Sequence, residues 1–214
     1  MAETLLVVLP LVPTATALLM LTTRDRRMLS AIDVSGSAVL AALTLVLARE
    51  VAAGGPVALG VFRLDELGLV FLLLLALLTL AVSVYTVGWL EQAVAVGNMK
   101  AESLPSYFAL VHAFVATMVV TVLADNLGVL WIAMEGTTIT SAVLVGYHGH
   151  QHGLEAAWKY IIVTTIGISF GLFGTVLIYA AAADVQGGAS AMSWSAIMQV
   201  AARLDPGIVR IGFI

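Results

Sequence analysis

The sequence LGVLWIAMEGTTITSAVLVGY, residues 127–147, decides how the rest of the chain must fold. An apolar run of about 20 residues is long enough to cross the hydrocarbon core of a bilayer as an α-helix. Its centre, WIAMEGTTITS at residues 131–141, carries a carboxylate, Glu135. A charge at this depth costs roughly 2.5–3.5 kcal/mol on insertion scales, and such charges usually mark an ion or proton path. The stretch therefore predicts a membrane helix with a functional acid at its middle; the alternative is a structural carboxylate that pairs helices.

The composition extends this prediction to the whole chain. Of 214 residues, 61% are hydrophobic and 10% are charged, and the mean hydropathy is +1.08. Soluble domains carry about 25% charged residues, so this chain is predicted to be an integral membrane protein. The period-2 alternation of a membrane β-barrel is absent, and the predicted fold class is therefore all-α, a polytopic transmembrane helical bundle.

The composition also limits the ligands that the chain can hold. The sequence contains no cysteine, which excludes disulfides and any iron–sulfur cluster or thiolate metal site held by this chain. It shows neither a glycine-rich phosphate loop nor a nucleic-acid-binding signature, and its net charge of −4 is small. We expect no bound cofactor and no nucleic-acid partner.

Apolar runs and their breakers predict six full spans and the start of a seventh. The predicted spans are residues 4–21, 30–51, 65–90, 106–124, 127–147 and 154–183. The connecting segments are predicted as an extended piece at 57–64, polar loops at 91–105 and 184–190, and a short amphipathic interfacial helix at 193–204.

Two aspartates at span boundaries are predicted to be helix caps. Asp125 is expected to cap the fifth span, and Asp205-Pro206 is expected to open the seventh with a cap and a first-turn proline. Only eight residues follow Pro206, whereas a spanning helix needs about 20. We therefore expect the sequence to be the N-terminal part of a longer chain.

Arginines in the first loop predict the orientation. Arg24, Arg26 and Arg27 lie between the first two spans, and basic residues favour the cytoplasmic side. This predicts a multi-pass protein of the cell inner (plasma) membrane with its N-terminus outside. Alternating spans then place the loops at 91–105 and 148–153 on the cytoplasmic side as well.

Two further ionisable side chains are predicted to lie within the membrane, His112 and Lys159. At 1.5 Å per residue, His112 is roughly 9 Å and Lys159 roughly 7–8 Å from the cytoplasmic end of their spans, and Glu135 is roughly 18 Å deep. We therefore predict proton transfer by Glu135, Lys159 and His112 through bridging water, not a direct salt bridge. Two alternatives stay open: Lys159 pairs with Glu155 four residues earlier, and His112 is a core histidine with a hydrogen-bonded partner.

The remaining motifs are interpreted structurally. His148, His150 and His152 form an HxHxH pattern, but no carboxylate or cysteine completes a ligand set nearby, so a solvated loop is favoured over a metal site. The threonines and serines near Glu135 and Lys159 are expected to bond mostly within or between helices. Glycines predicted to allow close helix packing are Gly136, Gly146, Gly167, Gly171 and Gly174.

Three segments together resemble a known family. They are RLDELGLVFLLLLALLTLAVSVYTVGWL at 63–90, WIAMEGTTITSAVLVGY at 131–147 and LEAAWKYIIVTTIGISFGLFGTVLIY at 154–179. They resemble the antiporter-like proton-translocating subunits of respiratory complex I and membrane-bound hydrogenases, the hydrogenase-4 component F branch most of all, and also NADH dehydrogenase subunit 5-like proteins. The resemblance implies a fold of about fourteen helices with two inverted five-helix repeats. Residues 65–214 would then form the first part of the antiporter-like domain, after a two-helix segment at 1–64.

The resemblance also implies residue roles and a function. Glu135 matches the family's protonatable glutamate, Lys159 matches a lysine at the start of the sixth helix, and the glutamate's main partner is a lysine expected after Ile214. The implied function is proton (or sodium) translocation by a non-redox membrane subunit, coupled to electron transfer in partner subunits of a hydrogenase or NADH/quinone oxidoreductase complex. Alternatives are a stand-alone multisubunit cation/proton antiporter and a non-transporting membrane scaffold.

Overall fold

The computed structural model describes residues 2–96, 101–147, 151–188 and 190–213. Within them, a short antiparallel hairpin and a set of α-helices form a bundle, and six helices are long and apolar enough to cross a membrane. These six, α1 to α6, confirm the predicted spans and the all-α polytopic class. The elements are α1 (Ala2–Met20), α2 (Arg26–Gly54), β1 (Val57–Leu59), β2 (Phe62–Leu64), α3 (Glu66–Ala95), α4 (Leu104–Leu123), α5 (Leu127–Val145), α6 (Gln151–Gln186), α7 (Trp194–Val200) and α8 (Pro206–Gly212).

Several helices continue past the ends that hydropathy predicts. α3 runs through residues 91–95, where a polar loop was predicted, and α6 runs to Gln186, into the predicted loop at 184–190. These predictions were wrong because hydropathy marks only where the apolar part of a helix ends. The helical hydrogen bonds of the backbone continue until a residue that disfavours a helix, such as glycine or proline, is reached. Residues 91–95, EQAVA, contain neither glycine nor proline.

The structure confirms one of the two predicted aspartate caps and contradicts the other. Asp205 caps α8, accepting from the amides of Gly207 and Ile208, and Pro206 lies in the first turn as predicted. Asp125 does not cap α5. Asn126 does so, because α5 begins at Leu127 and the cap is the residue immediately before it.

The helices pack in a chain of neighbours, with α1 at the centre of the N-terminal half. α1 packs against both α2 and α4, α2 packs against α3, α4 against α5, and α5 against α6. One buried cluster joins Leu6 of α1, Leu47 of α2, Leu72 of α3 and Val119 of α4. The division of the chain at residue 64 stays a prediction.

Connections gather at two opposite ends of the bundle. At one end the Asp125 amide donates to the Val61 carbonyl over 2.8 Å, and the Leu127 amide donates to the Met192 carbonyl over 2.9 Å. These bonds join the hairpin, the α4–α5 turn and the segment before α7. Three aromatic rings meet away from that end, as is typical of a membrane–water interface: Trp89 on α3, Tyr107 on α4 and Tyr147 just after α5.

Candidate functional site

Glu135 lies near the middle of α5. At 1.5 Å per residue it is about 12 Å from the first residue of the helix and about 15 Å from the last. Its side chain is half-buried, and among the described residues its carboxylate makes no hydrogen bond or ion pair. The structure therefore places a free acid at the depth where a charge is most costly.

Neighbouring helices hold α5 on both sides of this acid. Toward α4, a Cβ atom added to Gly136 would lie 2.9 Å from Cγ2 of Thr117, so the two helices approach closely there, as predicted. Toward α6, the indole Nε1 of Trp131 donates to the Ile168 carbonyl over 3.3 Å. Glu135 is thus positioned by the packing of the helix and not by bonds to its own side chain.

Most hydroxyls around Glu135 are occupied by their own helix. Thr137, Thr138 and Thr140 each donate to the carbonyl four residues earlier, over 2.9, 3.1 and 2.7 Å. Ser141 also donates to the hydroxyl of Tyr160 on α6 over 3.0 Å. The predicted use of these groups in hydrogen bonds within and between helices is confirmed.

Lys159 lies on the exposed side of α6. Its side chain is 72% exposed and pairs with Glu155 one turn earlier, the pairing expected under the alternative interpretation. Its neighbours Ala157 and Tyr160 face α5 instead, where Ala157 approaches Gly146 and Tyr160 bonds Ser141. The structure does not bring Lys159 to Glu135.

His112 lies in a different place again, buried among α2, α3 and α4. Its ring is bonded through Nε2 to Oδ1 of Asp33 over 2.8 Å. Ser83 donates to the same carboxylate oxygen over 2.9 Å, and the hydroxyls of Ser83 and Ser37 lie 2.7 Å apart. We name these four residues the Asp33–His112 cluster; it joins three helices by polar contacts in the membrane interior.

Asp33 is a candidate functional residue that was not among those predicted from the sequence. A span beginning at Ser30 puts it in the first turn, where an acidic residue is unremarkable. α2 begins at Arg26, and Asp33 is therefore about 10 Å into the helix. The spacing of residues in this segment could have predicted that Asp33 is buried. Residues three and four positions apart form one face of α2, and Asp33 lies on that face. The buried residues of the face are Leu29, Asp33, Ser37, Leu40, Thr44, Leu47 and Val51.

Of the three α6 glycines predicted to allow close helix packing, one does so. A Cβ atom on Gly174 would lie 2.4 Å from the Gly212 carbonyl oxygen of α8, whereas one on Gly167 or Gly171 would meet nothing within 4 Å. Close packing at Gly174 is confirmed. Gly167 and Gly171 instead line a cavity of about 320 Å³ between α5 and α6.

The HxHxH motif is only partly visible. His148 and His150 lie outside the described residues, and His152 is exposed in the first turn of α6. Among the described residues, no three or more His, Cys, Asp or Glu side chains are grouped so that they could hold a metal ion. The loop predicted at residues 148–153 is wrong for residues 151–153, because α6 begins at Gln151; for His148 and His150 the interpretation as a solvated loop stays a prediction.

Residues 124–200, which contain the whole of α5, α6 and α7, match the family model described as NADH:quinone oxidoreductase/Mrp antiporter, TM. This segment, which we call the antiporter domain, is therefore similar to the transmembrane domain of that family. The matched segment begins two residues before Asn126, the cap of α5, and includes both Glu135 and Lys159. His112 and Asp33 lie before it.

The chain is also similar to relatives of known name. The chain is 33% identical over 154 residues to the hydrogenase-4 component F homolog of Methylacidiphilum infernorum, covering 72% of this chain and 32% of that protein. It is 36% identical over 104 residues to NADH-quinone oxidoreductase subunit L of Escherichia coli, covering 48% and 17%. It is 30% identical over 118 residues to Na(+)/H(+) antiporter subunit A1 of Staphylococcus aureus, covering 55% and 14%. The chain thus spans about a third or less of the length of these relatives.

Solved structures confirm the antiporter-like fold. A chain of the archaeal membrane-bound sulfane sulfur reductase superimposes with a TM-score of 0.76 at 20% identity, over 98% of this chain and 42% of that one. A chain of respiratory complex I from Thermus thermophilus superimposes with a TM-score of 0.64 at 22% identity, over 99% and 43%. The helix arrangement is therefore that of the membrane subunits of such complexes.

The antiporter bundle holds two kinds of proton-capable group. Glu135 is a single acid without a bonded partner, and Asp33 with His112 is a bonded acid–imidazole pair. Both types can gain and lose a proton, and both lie away from the ends of their helices. His112 belongs to α4, which packs against α1 and α2 and also against α5, the helix that carries Glu135.

Proposed function

We propose that this chain is part of a membrane subunit that translocates protons, coupled to electron transfer in partner subunits of a hydrogenase or NADH/quinone oxidoreductase complex. The antiporter domain and the named relatives support cation translocation. The redox coupling is drawn from the similarity to a hydrogenase-4 component F homolog and to NADH-quinone oxidoreductase subunit L. The membrane partners are then the other subunits of such an assembly.

The observation that carries the proposal is the state of Glu135. A carboxylate at mid-membrane is costly to keep charged, and a bonded partner ordinarily offsets that cost. Glu135 has no such partner among the described residues, although α5 is held firmly on both sides. An acid left free in a rigid helix suits proton exchange better than helix pairing, because a pairing role requires a bonded partner.

His112 and Lys159 complete the proposed proton path in different ways. His112 acts with Asp33 on the α2–α4 side of the bundle. Lys159 acts from the exposed side of α6, where Glu155 is its partner. A relay from Lys159 to Glu135 requires bridging water or a further helix, because the two side chains do not meet.

We further propose the cell inner membrane as the location, with the N-terminus outside. The arginines of the α1–α2 loop favour the cytoplasmic side. The hairpin, the α4–α5 turn and the segment before α7 are bonded together at one end of the bundle, which fits loops that alternate between two sides.

A second candidate function is cation/proton exchange without a redox partner. The similarity to Na(+)/H(+) antiporter subunit A1 favours it. Sodium-driven proton movement in membranes that lack any electron donor separates the two candidates, because redox-coupled translocation stops when electron flow stops.

The test of the proposal is Glu135→Gln, measured in membranes that carry the assembled complex. Glutamine keeps the size and polarity of the side chain and cannot change its charge. We expect proton translocation per electron transferred to fall about tenfold or more, since positioned proton-transfer groups contribute at least this much. The measurement is the transmembrane pH gradient with electron transfer recorded in parallel.

Glu50→Gln is the matched control, because Glu50 is exposed near the end of α2. It should translocate protons like the parent protein. Normal translocation in Glu135→Gln sinks the proposal. Loss of assembly with normal translocation per assembled complex assigns Glu135 to a scaffold role instead.

A further inference from the structure

We infer that Asp33 and His112 form a second proton-exchange site, distinct from Glu135, which is loaded through the cavity between α3 and α4. The inference rests on the proposed function of proton translocation. It gives a role to an acid that lies outside the antiporter domain at residues 124–200.

The first support is the way the pair is buried. Asp33 is 2% and His112 is 1% exposed, and their bonded atoms lie 2.8 Å apart. An ionisable group in the bilayer interior is rare and usually functional, and its cost is offset only by a well-bonded partner. Here three helices each supply a member of the cluster, with Ser83 of α3 donating to the carboxylate.

The second support is an unused atom. Nδ1 of His112 is buried and has no hydrogen-bond partner among the described residues. A histidine kept only for structure would use both ring nitrogens, because a buried polar atom without a partner costs free energy. The free nitrogen leaves the ring a position at which a proton can be held.

The third support is a cavity that reaches the carboxylate. It has a volume of about 380 Å³, and Asp33 is among the residues that line it. Its lining is mostly apolar, with polar atoms from Asp33, Thr79, Ser83, Thr86 and Tyr107. Thr79 and Thr86 donate to carbonyls of their own helix. A space of this size has room for several waters where polar groups can bond them, and the Asp33 carboxylate is the lining group best suited to do so.

The exchange step is a simple protonation. Without the added proton the pair carries a net charge of −1, with an aspartate and a neutral imidazole. A proton arriving from water in the cavity binds the Asp33 carboxylate; with the hydrogen of the neutral ring on Nδ1, transfer from the carboxyl group to Nε2 gives an imidazolium beside the aspartate. The added proton makes the net charge of the pair zero in either form, and release to cavity water restores −1.

A second cavity connects this site with the α5 segment around Glu135. It has a volume of about 440 Å³ and shares three lining residues with the first, namely Leu75, Leu78 and Met118. Its far side is formed by Met134, Thr137 and Thr138, the sequence neighbours of Glu135. The two cavities follow one face of α3 and α4, and the second reaches sequence neighbours of Glu135, although Glu135 itself is not among its lining residues.

Few other titratable groups surround the pair. Tyr107 of α4 lines the same cavity, and its ring contacts that of Tyr147, two residues after the end of α5, with centroids 5.5 Å apart. α1 presents Ala17 and Met20 to this part of the core, and α3 presents Ser83. Among the described residues that line this cavity or bond to one another beside it, Asp33, His112 and Tyr107 are therefore the groups that can change charge.

The experiment measures proton translocation per electron as a function of pH, in membranes with the assembled complex, for Asp33→Asn, Ser83→Ala and Glu135→Gln. Asparagine fits the same space and cannot change its charge. We expect Asp33→Asn to assemble, to keep electron transfer, and to lose about tenfold or more of its translocation. Ser83→Ala removes one donor to the carboxylate, so the midpoint of the pH profile should move up by about 0.5–1 pH unit. Exposed controls are Asp184→Asn and Ser35→Ala.

The outcomes separate this inference from the proposed function. Loss of translocation in Glu135→Gln with an unchanged pH profile in Asp33→Asn overturns the inference and leaves the proposed function standing. Normal translocation in both variants overturns both. Should Asp33→Asn fail to assemble, Ser83→Ala decides: a shifted midpoint supports the site, and an unshifted one overturns it.

Discussion

Asp125 and Asn126 are adjacent residues at the α4–α5 turn with different tasks. Asn126 accepts from the amides of Gly128 and Val129 and so caps α5. Asp125 accepts from the hydroxyls of Ser193 and Ser195, over 2.6 and 2.9 Å, and from the Ser195 amide over 3.0 Å. A carboxylate provides more acceptor positions than an amide oxygen, which suits it to docking a distant segment.

This difference predicts unequal losses of stability. Asn126→Ala should lower the free energy of unfolding by about 1 kcal/mol, the usual value of a cap. Asp125→Ala should lower it by about 2–3 kcal/mol, because three hydrogen bonds to a charged group are lost together. Thermal unfolding in detergent compares the two. A smaller loss for Asp125→Ala than for Asn126→Ala contradicts the docking role.

At the scale of helices, close approach is confined to a few glycines. α8 lies against α6 at Gly174, where the Gly212 carbonyl occupies the space of a side chain. The same helix has an open position one turn earlier, at Gly171. Packing of small residues drives association of membrane helices, because lipid and apolar side chains are equally apolar.

The two glycines give a matched pair of variants on one helix. Gly174→Ala should weaken α6–α8 packing by about 1–3 kcal/mol, since the obstructing atom belongs to the backbone and cannot rotate away. Gly171→Ala should be neutral or raise helix stability by up to about 1 kcal/mol. Thermal unfolding of both variants measures the difference. Equal effects would show that the α6–α8 contact contributes nothing.

At the scale of the whole molecule, the connections lie at two ends of a six-span bundle. The Arg-containing α1–α2 loop belongs to one end, and the β1–β2 hairpin follows the next span and belongs to the other. The sequence contains no cysteine, so a single introduced thiol reports its own side of the membrane.

Labelling of intact cells with a membrane-impermeant maleimide therefore tests the proposed orientation. Leu59→Cys, on the exposed hairpin, should react from outside. Thr22→Cys, in the exposed α1–α2 loop, should react only after the membrane is made permeable. The reverse pattern inverts the orientation, and labelling of both sites from one side contradicts the alternation of the spans.

The sequence by itself determined the six spans, their order and the depth of Glu135. These properties could be predicted because whether a segment spans the bilayer depends mainly on its own length and hydropathy. The helix ends were less predictable. α3 continues through residues 91–95, for example, because a helix does not have to end where its apolar residues end.

Only the tertiary structure decided which polar side chains meet. Asp33 is bonded to His112, which lies 79 positions later in the sequence, and Asp125 is bonded to Ser195, which lies 70 positions later. Lys159 pairs with Glu155 and not with Glu135. The first two pairings depend on how each helix is rotated and which neighbour it packs against, and both are set by contacts between segments distant in sequence; the Lys159–Glu155 pair is local, one turn apart on α6. Hydropathy placed Glu135 within the membrane, whereas helix packing gave Asp33 a partner and, among the described residues, left Glu135 without one.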